Sequence, residues 1–451
     1  MWWVRRAAAA AAAAAILYGT GPGVPQTGSP AAAAETSQTD TPDAETNRQL
    51  EVLGKVLDIV RSEYVDKPDD GRLLNGAIEG IVKSLDPHSS YMDARSYADM
   101  QATTNGQFGG LGMEVNMESG VLRVMAPLDG TPAARAGILA GDVIAEVDGT
   151  ALKGLGLTEA VAKLRGAPGT EVRIRVVRRG RDAPLDLTLV REIIKVSAVR
   201  HEVMGGDVGY VRITQFSARV ADDLRRAVEA LHGGRHDTLK GYVVDLRNNP
   251  GGLLDQAVRV AGAFLNAGEI VSIRGRDPVE VQRFNASPGD LVDGKPLIVL
   301  INGGSASASE IVAAALQDQK RATVLGSRTF GKASVQTIIP LGPGNGALRL
   351  TTARYYRPSG HSLQAQGVKP DIEVLQDVPK EVVGREPQVT SEANLPGHLK
   401  AEGAEETGSQ SWVPPDTPDD KALAAALALL RGTMTDAAFP PNPAQAVSAV
   451  H

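Results

Sequence analysis

Residues 297–310, Leu-Ile-Val-Leu-Ile-Asn-Gly-Gly-Ser-Ala-Ser-Ala-Ser-Glu, form an apolar run that breaks on two glycines into three alternating serines and then a helical pattern. This is the pattern of a buried sheet strand delivering hydroxyls to the start of a helix. At such a junction the first backbone N–H groups lack intrahelical partners and the positive end of the helix dipole faces outward, so an oxyanion on an attacked carbonyl would be stabilised. Ser305, Ser307 and Ser309 are each candidate nucleophiles and each equally a candidate helix cap. The pattern alone does not choose among them.

A serine nucleophile needs a base, and none of the seven histidines lies near the cluster, although triad members are often distant along a chain. Lys332 does lie near, in Thr-Phe-Gly-Lys-Ala-Ser-Val-Gln. A lysine of reference pKa about 10.4 becomes a base near neutrality once an apolar site lowers it, by up to about 3 to 5 units on full burial. The flanking Ala-Thr-Val-Leu-Gly and Val-Gln-Thr-Ile-Ile-Pro-Leu could provide that enclosure. Gln336, four positions on, projects to the same side whether the segment is a strand or a helical turn, and so could orient the amine.

These residues resemble the carboxyl-terminal processing proteases, the PDZ-containing serine proteases of the tail-specific type, whose Gly-Ser-Ala-Ser-Ala-Ser-Glu, Phe-Gly-Lys and Val-Gln pattern is matched nearly letter for letter. By the family's Ser/Lys spacing, the resemblance implies Ser307 as nucleophile, Lys332 as general base and Gln336 as the orienting residue, with Ser305 and Ser309 structural. A second family signature is Gly-Tyr-Val-Val-Asp-Leu-Arg-Asn-Asn-Pro-Gly-Gly-Leu-Leu at 241–254, which reads as a buried strand, a turn and a helix running through Val258 and Ala261 to Phe264. The resemblance makes the Gly251 N–H, with that of Ala308, the oxyanion hole, and Gly252 is the near alternative. Leu-Asp-Pro-His-Ser-Ser-Tyr-Met at 85–92 and Ala-Arg-Tyr-Tyr-Arg-Pro-Ser-Gly at 353–360 also match. Family precedent makes His88 structural, and His361 receives no role.

Residues 98–190 are expected to form a PDZ domain, its short strands running from about 106 to 180 and its helix from about Leu157 to Leu164. Such a domain adds an extended peptide to a sheet edge, with the amides of Gly110, Leu111, Gly112 and Met113 capturing the terminal carboxylate. Leu111, Met113, Ala160, Val161 and Leu164 are expected to line a groove for a small or medium apolar C-terminal side chain. Arg165 matches a basic position that in relatives couples peptide occupancy to the active site; a solvated arginine suited to the helix C-terminus is the alternative.

The expected fold class is α/β: a crotonase/ClpP-like protease core over 191–376, implied by the resemblance, with the PDZ domain inserted and an N-terminal helical segment over 48–97. In that segment apolar residues from Leu50 to Val60 and from Leu73 to Val82 recur at helical spacing, as in a hairpin packed on the core; in relatives it supports dimerisation. Residues 1–19, with Arg5-Arg6 before Ala7 to Ala15, read as a secretory signal or an uncleaved anchor, which places the protein in the periplasm. Residues 20–47 read as a disordered linker, and 377–451 as a low-complexity tail with one short helix around Lys421 to Leu430 that docks on the core or on a second subunit. Nothing in the tail points to chemistry.

The net charge of −6 without basic clusters argues against nucleic acid as partner. The absence of cysteine excludes disulfides, a thiol nucleophile and cysteine-ligated metal, and no His/Asp/Glu cluster has metal-ligand spacing, so no cofactor or metal is expected. Partners are protein or peptide substrates with accessible C-termini, with a homodimer and an adaptor protein left open. Two functions follow: an exported serine endopeptidase working through an acyl-enzyme, or a catalytically silent PDZ scaffold. The presence of Ser307, Lys332 and Gln336 together favours the first.

Overall fold

The computed structural model describes residues 44–446, apart from 379–390 and positions 105–106, 119, 129, 182, 196, 235, 278, 415–416 and 444–445. The expected signal and nearly all of the expected linker therefore lie outside the described residues. The linker's last four positions do not form a linker: they are the first turn of helix α1 (Ala44–Glu63). Residues 1–69 and 70–451 are two compact units. In the first, α1 buries none of its residues, and Leu50, Leu53 and Val56 are exposed.

The second unit opens with α2 (Asp70–Lys83), β1 (Ser90–Met92), α3 (Ala94–Thr104) and β2 (Gln107–Gly110). Of the apolar positions expected to pack from α2, only Val82 is fully buried. There follow β3 (Met113–Glu118), β4 (Val121–Pro127), α4 (Pro132–Arg135), β5 (Val143–Val147), β6 (Thr150–Ala151), α5 (Leu157–Leu164), β7 (Glu171–Val177) and β8 (Leu185–Val190). Strands β3 to β8 form one antiparallel sheet. Leu122, Val124, Ile144, Ile174 and Val176 close its core against Ala160 and Leu164 of α5. This module is tied at its base by β9 (Glu192–Lys195), which pairs with β2.

The remaining elements are β10 (Val199–Met204), β11 (Val208–Ile213), α6 (Val220–His232), β12 (Gly241–Asp245), α7 (Leu254–Gly262), β13 (Glu269–Arg274), β14 (Val281–Asn285), β15 (Leu297–Ile301), α8 (Ala308–Asp318), β16 (Thr323–Gly326), β17 (Ser334–Pro340), β18 (Ala347–Tyr356), β19 (Ile372–Glu373) and α9 (Lys421–Arg431). One sheet runs β10-β11-β12-β15-β16-β19, parallel except at its β10 edge. Its central strands are apolar without alternation because both faces are covered. Val244, Val299 and Ile301 turn toward α6, α7 and α8, while Val243, Ile298 and Leu300 turn toward α9. A second, antiparallel sheet runs β1-β18-β13-β14, with β17 also on β18.

The tail is not a loose appendage. Helix α9 starts where the Asp420 carboxylate accepts from the Leu423 N–H at 3.1 Å, stops at left-handed Gly432, and buries Ala422, Leu423, Ala426, Leu429 and Leu430 against the sheet. Before it, residues 391–414 follow the core: Gln410 O accepts from Gly303 N, and Ser411 O from Asn302 Nδ2.

Candidate active site

The expected strand–helix junction is present: β15 ends at Ile301, and Ser307 is the N-cap of α8. The three serines differ by what their hydroxyls do. Ser305 Oγ donates to Leu246 O at 2.8 Å and accepts from Asn302 N, and Ser309 Oγ donates to Asn249 O at 2.9 Å; both residues are fully buried. Ser307 forms a capping box with Glu310, its side chain facing the Glu310 N–H, but unlike its neighbours its hydroxyl donates to no acceptor among the described residues, and it lines a cleft. Its backbone is in the left-handed region, φ 57°, a strained conformation for a residue with a side chain.

That strain is held by Glu310, one turn into α8 and wholly buried. Its carboxylate accepts from the backbone N–H of Ser307 (2.8 Å), Gly331 (2.8 Å) and Lys332 (2.9 Å) and from the Thr329 hydroxyl (2.5 Å). One side chain thus joins the main chain of Ser307 to that of Lys332. Burial pushes its pKa up to about 7 against the opposing pull of these donors.

Lys332 precedes β17 and lines the same cleft. Its enclosure lowers the amine's pKa to about 8; the carboxylates of Glu392, Glu310 and Asp86 oppose the drop, and Arg349 adds to it. The amine donates to Gln336 Oε1 and lies 3.5 Å from Ser334 O. Gln336 presents its carbonyl to the amine because its NH₂ is spent on Ser334 Oγ (2.9 Å) and Thr351 Oγ1 (3.1 Å). Thr351 Oγ1 in turn donates to Asp86 Oδ1 at 3.1 Å. Lys332 and Gln336 are thus brought together directly. Ser307 and Lys332 share the cleft and Glu310, without a hydrogen bond between their side chains.

On the other wall, Asn249 fastens the glycine turn to the serine cluster: its carbonyl accepts from Ala306 N (3.0 Å) and Ser309 Oγ. Its side chain also accepts the Gly251 N–H at 2.9 Å. Gly251, expected in the oxyanion hole, therefore has its amide committed elsewhere in this structure and is buried. Gly252 is exposed in the cleft, and its N–H and that of Ala308 have no acceptor among the described residues. The turn's helix, α7, ends at Gly262, short of the expected Phe264.

Among the residues with site roles that were not singled out in the sequence, three touch the backbone or the charges around the lysine most directly. The Tyr355 hydroxyl, fully enclosed, sits between the main-chain carbonyls of Ser307 (3.1 Å) and Lys332. Glu310 and Asp86 are the others. All three lie inside the quoted motifs, so the signal was present without a role attached. His88 pairs with Glu392 at 2.8 Å.

In the PDZ-like module, Gly112 is left-handed (φ 74°), and a Cβ there would come within 2.3 Å of the Thr131 side chain, whose hydroxyl donates to Gly112 O at 2.8 Å. Leu111, Ala160 and Leu164, expected to line the groove, are instead part of the module's core at 2%, 0% and 6% exposure; Met113 and Val161 remain half-buried. Gly110 is buried at the end of β2, and Arg165 is exposed just past α5.

Comparison with known proteins matches residues 207–374 to peptidase family S41, residues 123–178 to a PDZ domain and residues 11–96 to the activating protease CtpB N-terminal domain. The chain is 53% identical over 410 residues to a carboxy-terminal-processing protease of Bartonella bacilliformis, covering 90% of this chain and 94% of the relative. It is 35% identical over 331 residues to the carboxy-terminal processing protease CtpA of Bacillus subtilis, covering 72% and 68%. Among solved structures, the photosystem II D1 C-terminal processing protease aligns with a TM-score of 0.43 and 30% identity over 71% of this chain and 86% of that one.

Proposed function

The chain belongs to the carboxy-terminal-processing serine proteases of peptidase family S41, with a PDZ domain, and from that premise we propose that it cleaves peptide bonds through a Ser307/Lys332 dyad on a crotonase/ClpP-like core. The neutral Lys332 amine takes the Ser307 proton as the oxygen attacks the substrate carbonyl. The N–H groups of Ala308 and Gly252 receive the oxyanion. The ammonium then returns its proton to the leaving amine, and water, deprotonated by the same amine, hydrolyses the acyl-enzyme. Gln336 holds the amine in place between these steps.

Extended C-terminal segments of substrates are captured on the edge of the PDZ sheet at the Gly110–Met113 loop and fed to the cleft. The N-terminal Arg5-Arg6 and the alanine run support export to the periplasm as part of this reading.

The observation that carries the proposal is a serine at a helix N-terminus whose hydroxyl donates to no acceptor among the described residues, in one cleft with an amine whose pKa burial has brought to about 8. On an unstructured substrate such as casein, Ser307→Ala and Lys332→Ala are each expected to lower kcat/KM by about 1000-fold or more. For the native enzyme, kcat/KM should fall on the acid side of about pH 8, as the amine takes up a proton. Equal product from all three proteins would end the dyad reading.

A further inference from the structure

Glu392 is fully buried although it lies in the tail, beyond the segment matched to family S41. Its backbone N–H donates to Phe330 O at 3.0 Å, which fixes the tail beside the Phe-Gly-Lys segment. Among the described residues its carboxylate has two donors. His88 Nε2 lies 3.0 and 2.8 Å from its two oxygens, and Gln364 Nε2 donates at 2.8 Å. Gln364, also fully buried, holds the N–H of Ala333, the residue after the dyad lysine, on its own carbonyl at 3.0 Å, and its NH₂ also reaches Leu399 O in the tail. The tail therefore grips the start of β17 through one glutamine and brings a buried negative charge to it.

The charged groups that act most on Lys332 are Glu392 of the tail, Glu310 of α8, Arg349 of β18 and Asp86 before β1. Glu392 is first among the carboxylates in its effect on the amine, and it also acts on Tyr355, as does Glu310. Glu310 is occupied by three main-chain amides and a hydroxyl, and Asp86 by Ser89, Thr351 and the His88 N–H. Facing Glu392 itself is His88, from the turn before β1.

We infer that Glu392 is a positioning residue of the protease: a carboxylate supplied by the C-terminal tail that serves as fixed counter-charge to the Lys332 amine and, through Gln364, clamps the strand on which that amine is carried. This rests on the dyad reading and gives the tail a part in it. A negative charge near the amine favours its protonated form, so removing the charge lets the proton leave more easily and makes the base available at lower pH.

The test is the pH profile of kcat/KM on casein for the full chain and for Glu392→Gln, an isostere that keeps an acceptor for Gln364. The acid limb is expected to move down by about 0.5 to 1 pH unit, less than the roughly 1 to 3 units of a directly paired charge because Glu392 is not hydrogen-bonded to the amine. A tail with a purely structural part would lower activity at every pH and leave the limb in place, and an unmoved limb in a folded Glu392→Gln enzyme overturns the inference while leaving the dyad intact. A native enzyme with no acid limb overturns both. Should Glu392→Gln not fold, Gln364→Leu carries the test: it keeps the charge and frees the Ala333 N–H, and should lower kcat by about tenfold with KM and the limb unchanged. A native kcat in Gln364→Leu overturns the clamp.

Discussion

The amine of Lys332 is maintained at a cost to folding, and that cost has a pH signature. In the unfolded chain the amine titrates near 10.5, and in the folded protein near 8, with enclosure as the main cause. At pH 7 both states hold the proton, so the folded state carries the whole penalty of enclosing an ammonium. As pH rises from about 8 to 10.5, the folded state has already released its proton and the unfolded state has not, so stability climbs; above that window there is nothing further to gain. Lys332→Met should therefore raise Tm at pH 7 while abolishing cleavage, by an amount equivalent to about 1–3 kcal/mol, and the difference should vanish above about pH 10.5. Calorimetry at pH 7 and pH 10.5 checks this; an equal Tm difference at both would show that the amine is not enclosed. The serine cluster and the nearby lysine were readable in the sequence, but the choice of Ser307 among three serines came from the family resemblance and not from the pattern itself. Glu310's hold on three backbone amides was not readable, because main-chain donors leave no mark on residue identity.

At the scale of elements, the site is a meeting of two strand-to-helix turns, β12 to α7 and β15 to α8, and the fit between them leaves no room. Gly251 has φ 100°, and a Cβ there would lie 2.8 Å from Ala306 O, 2.9 Å from Ala308 N and 2.9 Å from the Ser307 Cβ. None of these can swing aside as the end of a long side chain could. Gly251→Ala should consequently push Ser307 off its position, lowering kcat/KM on casein by about 100-fold under the proposed mechanism, and destabilise the fold by about 1–3 kcal/mol through overpacking and the unfavourable φ. Native activity in the variant would mean the two turns are not packed this closely. Both turns were readable beforehand, since a fully buried strand followed by glycines and a helical period has few other solutions. The groove of the PDZ module was read less well. Leu111 and Leu164 have the spacing of groove liners and of core residues alike, and periodicity cannot distinguish a face turned to a ligand from one turned to the module's own interior.

For the whole molecule, the least legible part was the tail, because its composition hides how it is held. Proline, alanine and acidic residues between 391 and 420 bury little apolar surface; what fixes them is hydrogen bonding to groups far away in sequence, such as Gln410 to Gly303 and Ser327, and Asp420 to Arg247 and Gln376. Among the tail's described residues only α9 carries an apolar stripe, and it covers the face of the sheet formed by Val208, Val243, Ile298, Leu300 and Leu325. Removing everything after residue 378 would expose that face, at a loss on the order of 5 kcal/mol for the three leucines and two alanines of α9 alone. It would also leave Arg247, 2% exposed, without Asp420, although Asp245 still pairs with it. The shortened chain keeps every residue matched to family S41 as well as Ser307, Lys332 and Gln336. It should nevertheless melt about 10 °C or more below the full chain, bind an apolar dye such as ANS, and cleave casein poorly. A truncated protein with the full chain's Tm and activity would show that the tail merely rests on a core able to stand without it.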